Sequence, residues 1–292
     1  EKYQKTYYRP NNCALILVGD LDPDATIAMI EKYYGDWKPG DIPKFVKKPE
    51  PKITVPIIRE YVGPMPEHVF IGFLFDGANS HDAMMVKLID NILANGQAGL
   101  IDLDLVQQQK VLQAYSYVDD NTDYTFQKFY GEPKQGQSLE NVKDLLLGEI
   151  DKVKKGEFGD WLLPAIIQNM KLDRMKAAEK NQGRAYNMMG TFVHNIPWKD
   201  WVDEIPEMEK VTKADIVKFA KEHYQNNYAV CYKRIGETKA QKVEKPKITP
   251  VVMNKDDVST FKKAWDAIPE PPLTPKFLDF NKNITHLKLA KG

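Results

Sequence analysis

The feature that most limits the fold is a run of seven residues, 69–75 (VFIGFLF), that is apolar at both alternating sets of positions. A half-exposed strand alternates apolar and polar side chains, whereas a strand inside a sheet can be apolar on both faces. The run therefore predicts a central strand. Neighbouring strands and helices of the same chain must pair with this strand and cover it.

Other segments have the composition expected of neighbouring strands and of helices. The predicted strands are residues 14–18, buried on both faces; residues 53–62, an edge strand because it contains Pro56; residues 111–118 and 124–131, a hairpin; and residues 228–233, a closing strand. Helices are predicted after the capping residues Asp22, Ser80, Ser138 and Thr212, and over residues 100–111, 161–186 and 259–267. This mixture predicts an α+β fold, with a mostly antiparallel sheet packed against helices.

The composition of the chain changes after Gly236. Residues 237–292 contain six of the 19 prolines, and their 11 lysines against seven acidic residues give this stretch a net charge of +4. Proline fixes φ and lacks a backbone N–H, so such a segment cannot form long helices or central strands. We therefore predict an α+β domain over residues 1–236 and a Pro-rich, extended C-terminal arm over residues 237–292. We find no internal repeat.

The overall composition excludes several classes of function. Lys and Arg together number 41, as do Asp and Glu, so the zero net charge gives no electrostatic argument for binding nucleic acid or an anionic membrane. No apolar run approaches the roughly 20 residues needed to cross a bilayer. Cys13 and Cys231 are too few for a disulfide scaffold, and their apolar flanks predict small buried side chains. Whether the two cysteines pair stays open.

The histidines do not form a metal-binding pattern. No two of the five lie within one helical turn, and H-x-x-H, H-E-x-x-H and H-x-x-E-H are absent; the five are His68, His81, His194, His223 and His286. The sequence Pro64-Met-Pro-Glu67-His68 has proline where an inverted zinc motif requires histidine. Ser80, His81 and Asp82 are predicted to be a polar first turn of a helix, because consecutive helical residues point in different directions.

Other catalytic patterns are also missing from the sequence. Residues 95–99 (NGQAG) lack the Lys-Ser/Thr of a phosphate-binding loop. Three acidic pairs lack the apolar setting that raises the pKa of a catalytic acid and are predicted to be solvated: Asp102/Asp104, Asp119/Asp120 and Asp256/Asp257. We therefore predict no catalytic residue and no metal ligand in this sequence, and we assign no substrate-binding residue.

The order of several motifs resembles that of the pitrilysin/insulinase-type (inverzincin) zinc metallopeptidases. The stretches that carry the resemblance are residues 7–12 (YYRPNN), 15–22 (LILVGDLD), 30–35 (IEKYYG), 88–93 (LIDNIL) with Gly96 and Gly99-Leu100, 211–224 (VTKADIVKFAKEHY) and, more loosely, 245–250 (KPKITP). They resemble the second domain of the first half of such enzymes and the connector between the halves. The resemblance implies a metallopeptidase-like α/β sandwich.

What the resemblance implies about catalysis concerns residues outside this sequence. Family members consist of two halves of two α/β domains each, which close into a chamber around an unfolded peptide. An inverted H-x-x-E-H helix and a downstream glutamate in the first domain hold zinc, and the glutamate of the motif is the general base. No position here matches these residues. The resemblance thus implies a zinc metalloendopeptidase whose zinc ligands lie outside this chain.

The role implied for this segment is chamber wall and linker, without zinc or catalytic activity of its own. The implied partners are the zinc-bearing domain and the second half of the same polypeptide, and an unfolded peptide substrate. Because residue 1 is Glu and no signal sequence follows, we expect a segment of a longer protein. The resemblance further implies a periplasmic or exported bacterial protein.

Two alternatives stay open from the sequence. A non-catalytic homologue that acts as a scaffold or partner subunit would keep the same second-domain motifs, and only an H-x-x-E-H motif before Glu1 separates an enzyme from it. An unrelated peptide-binding module with a hydrophobic groove would bind unfolded chains on its own.

Overall fold

A computed structural model describes residues 1–237, 247–251, 256–270, 272–285 and 287. The chain divides into two compact units, Glu1–Lys239 and Ala240–Gly292, and each is treated by itself below. The predicted boundary between residues 236 and 237 stays a prediction. His286 and the first two residues of the 245–250 motif lie outside the described residues.

The first unit contains both helices and strands, and its last strand follows five consecutive helices. Its helices are α1 (Lys2–Tyr7), α2 (Pro23–Tyr34), α3 (His81–Leu93), α4 (Leu139–Lys155), α5 (Leu162–Glu179), α6 (Asn181–Val193), α7 (Trp198–Met208) and α8 (Lys213–His223). Its strands are β1 (Ile57–Gly63), β2 (His68–Asp76), β3 (Gln113–Asp120), β4 (Tyr124–Glu132) and β5 (Tyr228–Ile235). There is also a 3₁₀ turn at Pro10–Asn12 and a π-helical turn at Asp102–Gln107.

Side-chain caps determine where four of these helices begin, as the sequence predicts. Asp22, Ser80 and Ser138 each accept a hydrogen bond from the backbone N–H three residues ahead. Thr212 and Asp215 form a complete capping box, in which each side chain accepts from the other residue's backbone N–H. Each cap satisfies an N–H group that would otherwise be unpaired at a helix start.

The five strands form one sheet in the order β1-β5-β2-β4-β3. Neighbouring strands are antiparallel except for β1 and β5, which run parallel with Ile57 opposite Ala229. The predicted central strand, edge strand and hairpin are confirmed as β2, β1 and β3–β4. The fold is the predicted α+β type, with a mostly antiparallel sheet packed against helices.

One face of the sheet is buried under helices. Alternate residues of β2, from Val69 to Phe75, point to this face and are buried in a continuous apolar core with α3, α4 and α8. Gly131 on β4 allows α4 to approach closely, because a Cβ at this position would lie 2.5 Å from Cγ1 of Val142. Truncating a buried phenylalanine such as Phe73 to alanine costs about 3–5 kcal/mol.

A chain of hydrogen bonds crosses this core. Tyr224, which directly follows α8, donates its hydroxyl to Oε1 of Gln127 on β4. Nε2 of Gln127 donates to Oδ1 of Asp90 on α3 at 2.9 Å, and all three side chains are buried. Burial raises the pKa of Asp90 from 3.8 to about 6, and hydrogen bonding offsets this only in part. Ionisation of this buried carboxyl group is therefore unfavourable, because the charged form loses its hydration.

The prediction of a buried strand at residues 14–18 is wrong. These residues have no regular secondary structure, and none of them is buried. A strand needs neighbours to pair with, and the described part of the chain provides none for this run. The burial predicted for the cysteines is wrong as well, since Cys13 is exposed and Cys231 on β5 is half-buried. Both thiols are free.

Two predicted helices are interrupted or shortened. The helix expected over residues 161–186 is divided between α5 and α6 at Lys180, which has extended φ and ψ of −100° and 137°. Gly183 permits the sharp change of direction, because a Cβ there would lie 2.0 Å from the carbonyl oxygen of Ala177. The helix expected over residues 100–111 ends with the π-helical turn, and Gln109 beyond it adopts a positive φ of 52°.

The described part of the second unit contains two short helices, α9 (Thr260–Asp266) and α10 (Phe280–Asn283). Ser259 caps α9 by accepting from the N–H of Lys262, which confirms the short helix predicted there. The residues of this unit whose burial is described are all exposed. In the described portions of both units, no helix has the length and apolar character needed to span a bilayer.

We predict that Asp90→Asn stabilises the protein at neutral pH. The pKa of Asp90 is raised in the folded state, so stability is lost as the pH rises from 3.8 through about 6. A rise of this size corresponds to about 3 kcal/mol above pH 6. Asparagine keeps an acceptor for Gln127 and carries no charge. Urea unfolding at about pH 4 and about pH 7.5 should therefore show a gain in stability mainly at the higher pH.

Asp173→Asn is the matched control for this measurement, because Asp173 on α5 is exposed. It should leave the pH dependence of unfolding unchanged. A pH dependence of Asp90→Asn identical to that of the wild type would contradict the prediction.

Candidate interaction surfaces

Residues 1–56 contribute nothing to the buried core. None of them is buried, although they include α1, α2 and the apolar run 14–18. Among the described residues, the backbone of residues 14–21 makes no hydrogen bond to another backbone group, and α2 leaves Ile27 and Tyr33 exposed. Unpaired backbone groups beside exposed apolar side chains are typical of a segment that pairs with another sheet.

One sequence pattern occurs twice in the chain: a helix, a tyrosine, two asparagines and then an apolar run. Tyr8 follows α1 and Tyr224 follows α8, with similar backbone angles of φ −86°, ψ 77° and φ −101°, ψ 80°. Two asparagines come next in each case, and a largely apolar run then begins at Ala14 or Ala229. We call residues 2–18 the first closing unit and residues 213–233 the second closing unit. The expectation that the sequence has no internal repeat is therefore wrong.

The two closing units differ in their surroundings. In the second closing unit, Tyr224 is fully buried, and β5 pairs with β1 on one side and with β2 on the other. In the first closing unit, Tyr8 is 61% exposed, and Leu15 and Leu17 are 56% and 48% exposed. The first closing unit thus has the residues of a central strand and its helix without the sheet that would bury them.

A second surface is the face of the sheet opposite α3, α4 and α8, which we call the open face. Aromatic rings dominate it, and those on β2, β3 and β4 are His68, Phe70, Tyr115, Tyr117, Tyr124, Phe126 and Tyr130. The ring centroid of Tyr130 lies 4.8 Å from that of Tyr115, 5.0 Å from Phe70 and 5.2 Å from His68. Rings at these separations attract one another and form a well-ordered apolar surface.

Small residues leave a trough in the open face. Gly72, in the middle of β2, lies opposite Ala229 of β5, and a Cβ added to Gly72 would meet no atom within 4 Å. Cys231, two residues further along β5, lies between Phe70 of β2 and Arg59 of β1. We define the trough by Gly72, Ala229 and Cys231. Strands lie about 4.8 Å apart, so the floor of the trough can accommodate one extended chain.

Two of the described histidines, His81 and His223, both pack against the ring of Phe219. Ser80 caps α3, and Ser80, His81 and Asp82 form its first turn, as predicted. His223, at the end of α8, stacks on Phe219 with ring centroids 4.1 Å apart, and its Nδ1 lies 3.8 Å from Oδ2 of Asp82. Within the described residues, no group of three or more His, Cys, Asp or Glu side chains is arranged to hold a metal ion.

Two of the three acidic pairs are bound within the protein, contrary to the prediction that they are solvated. Oδ2 of Asp102 accepts from three backbone N–H groups of the loop at residues 95–99 and holds this loop closed. Asp104, Asp119 and Asp120 form ion pairs with Lys152, Lys128 and Lys87, respectively. Asp256 and Asp257, in the second unit, are exposed. The carboxylates of the first two pairs are therefore structural groups of the fold.

A cavity of about 570 Å³ lies between the start of α3, the β3–β4 turn, α6 and α7. Lys87 lies 2.8 Å from Asp120 and 3.0 Å from Glu204, and Arg174 also binds Glu204. Burial opposes the charge of Lys87, but the two carboxylates outweigh burial and raise the pKa of Lys87. This ion-pair network ties the hairpin and α7 to α3.

Comparison with known proteins identifies a family and several relatives that are similar to this chain. Residues 1–170 match the family described as "Peptidase M16 inactive domain". The zinc protease PqqE of Helicobacter pylori is 20% identical over 234 residues, which are 77% of this chain and 52% of that protein. The chain thus spans about half the length of this curated relative.

Two solved structures show a similar fold. A protease from Helicobacter pylori has a TM-score of 0.73 at 20% identity, with coverage of 80% of this chain and 58% of that one. The periplasmic protease PqqL from Escherichia coli has a TM-score of 0.60 at 12% identity, with coverage of 88% of this chain and 32% of that one. At these identities the likeness shows the fold alone.

We predict that hydrogen exchange distinguishes the two closing units. In the 292-residue chain, the amides of residues 14–18 have no backbone acceptor among the described residues and should exchange about as fast as those of an unfolded peptide. The amides of residues 229–232 in β5 should be slowed by more than about a thousandfold, because they open only with the core of the domain. Mass spectrometry of peptic fragments measures both segments in one sample. Equal protection of the two segments would contradict the prediction.

Proposed function

Because the chain belongs to the peptidase M16 inactive-domain family, we propose that it is a non-catalytic domain of a zinc-dependent peptidase. In this proposal, the chain forms part of the wall of a chamber that holds unfolded peptides, and a linker to the rest of the protein. The family match confirms the resemblance to pitrilysin/insulinase-type peptidases and excludes an unrelated binding module. The zinc ligands and the general base are proposed to lie in a neighbouring domain of the same polypeptide.

The first closing unit is the observation that carries this proposal. It repeats the helix and apolar run with which this domain completes its own sheet, yet it pairs with no strand among the described residues. A neighbouring domain of similar fold would bury Tyr8, Leu15 and Leu17 in the same way that β1 and β2 enclose the second closing unit. Each side chain buried in this way contributes about 1.5–3 kcal/mol, which together is enough to hold two domains in a fixed orientation.

We propose that the neighbouring domain is the one that binds zinc. A catalytic zinc site needs three protein ligands and one open position for water. The relative PqqE is described as a zinc protease, and this chain corresponds to about half of its length. The proposal therefore assigns the metal to the part of such a protein that this chain does not match.

The open face supports the proposed contact with unfolded peptide. An unfolded chain exposes apolar side chains and unpaired backbone groups, and a flat aromatic surface binds such side chains without requiring one sequence. Tyr115, Phe70 and Tyr130 provide this surface, and the trough beside them can accommodate an extended segment. In the proposal, the open face is the part of the chamber wall that faces the substrate.

Residues 237–292 are proposed to link this domain to a second half of the same polypeptide. Proline-rich segments stay extended and lose little conformational entropy when they dock. Phe261, Trp265 and Phe277 are exposed apolar side chains that can anchor such a linker. A periplasmic location is also part of the proposal and is supported by the relative PqqL, which is described as periplasmic.

The proposal predicts that the full-length protein needs its first closing unit for activity. Leu15→Asp combined with Leu17→Asp places two charges where we expect a buried strand, and burying an unpaired charge is strongly unfavourable. Peptidase activity should fall more than about tenfold, which corresponds to about 1.4 kcal/mol. The circular dichroism of the purified 292-residue chain should stay unchanged.

Met175→Asp is the matched control for this experiment. Met175 on α5 is 62% exposed but lies outside the first closing unit, so this substitution should leave activity unchanged. Full activity of the Leu15→Asp, Leu17→Asp protein would overturn the proposed docking.

The 292-residue chain alone is expected neither to bind zinc at one-to-one stoichiometry nor to cleave peptides. Zinc analysis after dialysis and cleavage of an unfolded peptide test both points, with the full-length protein as the positive control. Stoichiometric zinc and turnover by the chain alone would overturn the assignment of the metal to a neighbouring domain. A full-length protein without zinc and without activity would instead favour a non-catalytic scaffold.

A further inference from the structure

The half of the open face formed by β1 and β5 carries two cations without a carboxylate partner. Arg59 on β1 is exposed, and its Nη1 donates to the backbone oxygen of Ile58. Nζ of Lys233 on β5 donates to the backbone oxygens of Gly63, at 2.8 Å, and of Met65. Neither cation forms an ion pair with any carboxylate in the described part of the chain.

The two carboxylates nearest to Arg59 in sequence are engaged elsewhere. Glu60 is in register with the buried Tyr232, which places it on the opposite face of β1, and it pairs with Arg234. Glu67 accepts from the backbone N–H of Ile235. On the other half of the open face, Asp119 neutralises Lys128. The unneutralised positive charge of the open face is therefore concentrated beside the trough, on the side of β1 and β5.

The two cations are spaced for alternate residues of an extended chain. Arg59 is in register with Cys231, and Lys233 follows two residues later on β5. This offset is about 6.7 Å along the strands and about 4.8 Å, one strand spacing, across them. Side chains at positions i and i+2 of an extended peptide lie on one face, also about 6.7 Å apart. The long, flexible side chains of Arg59 and Lys233 can therefore reach both.

The opposite wall of the trough is apolar. Phe70 lies across β5 from Arg59, because both are in register with Cys231. Tyr130 packs against Phe70 and extends this wall. A peptide lying over β5 would thus meet positive charge on one side and aromatic rings on the other.

We propose that the trough binds an extended peptide segment in which acidic side chains at alternate positions pair with Arg59 and Lys233. Apolar side chains of the same segment contact Phe70 and Tyr130. The inference rests on the proposed function, which provides the unfolded peptide, and adds to it a preference for acidic over neutral or basic sequences. Arg59 and Lys233 are the residues that determine this preference.

The experiment measures binding of three short fluorescent peptides to the 292-residue chain by anisotropy. The peptides share one apolar sequence and carry Glu-x-Glu, Gln-x-Gln or Lys-x-Lys at the same positions. All are acetylated and amidated, so that only side chains carry charge. At low salt the Glu peptide should bind about fivefold more tightly than the Gln peptide, and the Lys peptide more weakly than both. The preference should fade at about 0.5 M salt, where charges are screened within a few ångströms.

Substitutions identify the residues responsible. Arg59→Glu should abolish the preference for the Glu peptide, and Lys233→Gln should reduce it. Lys199→Glu, at an exposed cation on α7, is the matched control and should leave it unchanged. Gly72→Leu should weaken all three peptides alike, because the leucine side chain occupies the trough.

The outcomes separate this inference from the function on which it rests. If the three peptides bind equally, or if Arg59→Glu keeps the preference, the charge selectivity is wrong and the proposed contact with unfolded peptide still stands. If none of the peptides binds, both the selectivity and the proposed contact are overturned.

Discussion

The fold depends on the insertion of β5 between β1 and β2. β5 is the last strand described in its unit, and 170 residues separate Gly63, at the end of β1, from Lys233, whose Nζ donates to the backbone oxygen of Gly63. Until β5 arrives, β1 has no partner in the sheet and the core beneath it is open. Such a long-range pairing makes folding slow, because the loop must close before the contact stabilises it. Tyr224 and Val230 then complete the core together.

The second use of the same helix-to-strand unit explains how a domain without assigned catalytic residues can belong to a peptidase family. The second closing unit completes the sheet of this domain. The first closing unit has the same kind of apolar run, which is not paired with any described strand. A chain built in this way is suited to joining domains of one fold in series. In the function that we propose, this domain positions the walls of a chamber around a reaction centre that lies elsewhere.

Much of the fold follows from local sequence patterns, because those patterns report local energetics. The apolar run 69–75 predicts the central strand, and four capping residues predict helix starts, since each signal is satisfied by neighbouring atoms. Residues 14–18 have an equally strong strand pattern, and none of them is buried. Apolar periodicity states what a segment needs, but it does not state whether its partner lies in the same chain. The repeat is hard to recognise in the sequence, because Pro10 lengthens the first copy by one residue.

The candidate surfaces could be predicted far less well than the fold. Arg59 is one of 41 basic residues, and nothing in its sequence neighbours distinguishes it. Its importance comes from strand register, which places it across β5 from Phe70 and away from any carboxylate partner in the described residues. Register is set by the whole sheet, so charge patterns read along one strand cannot reveal it.

The two closing units are similar enough to compete for one position, and the cations of β5 provide a means of discrimination. Lys233 binds backbone oxygens at the end of β1, and Arg234 binds Glu60 and Glu140. The corresponding positions of the first closing unit are Val18 and Gly19, which lack both cations. A chain that threaded its own N-terminal strand into the gap would leave these acceptors unsatisfied. Lys233 and Arg234 thus favour β5 over the first closing unit in the position between β1 and β2.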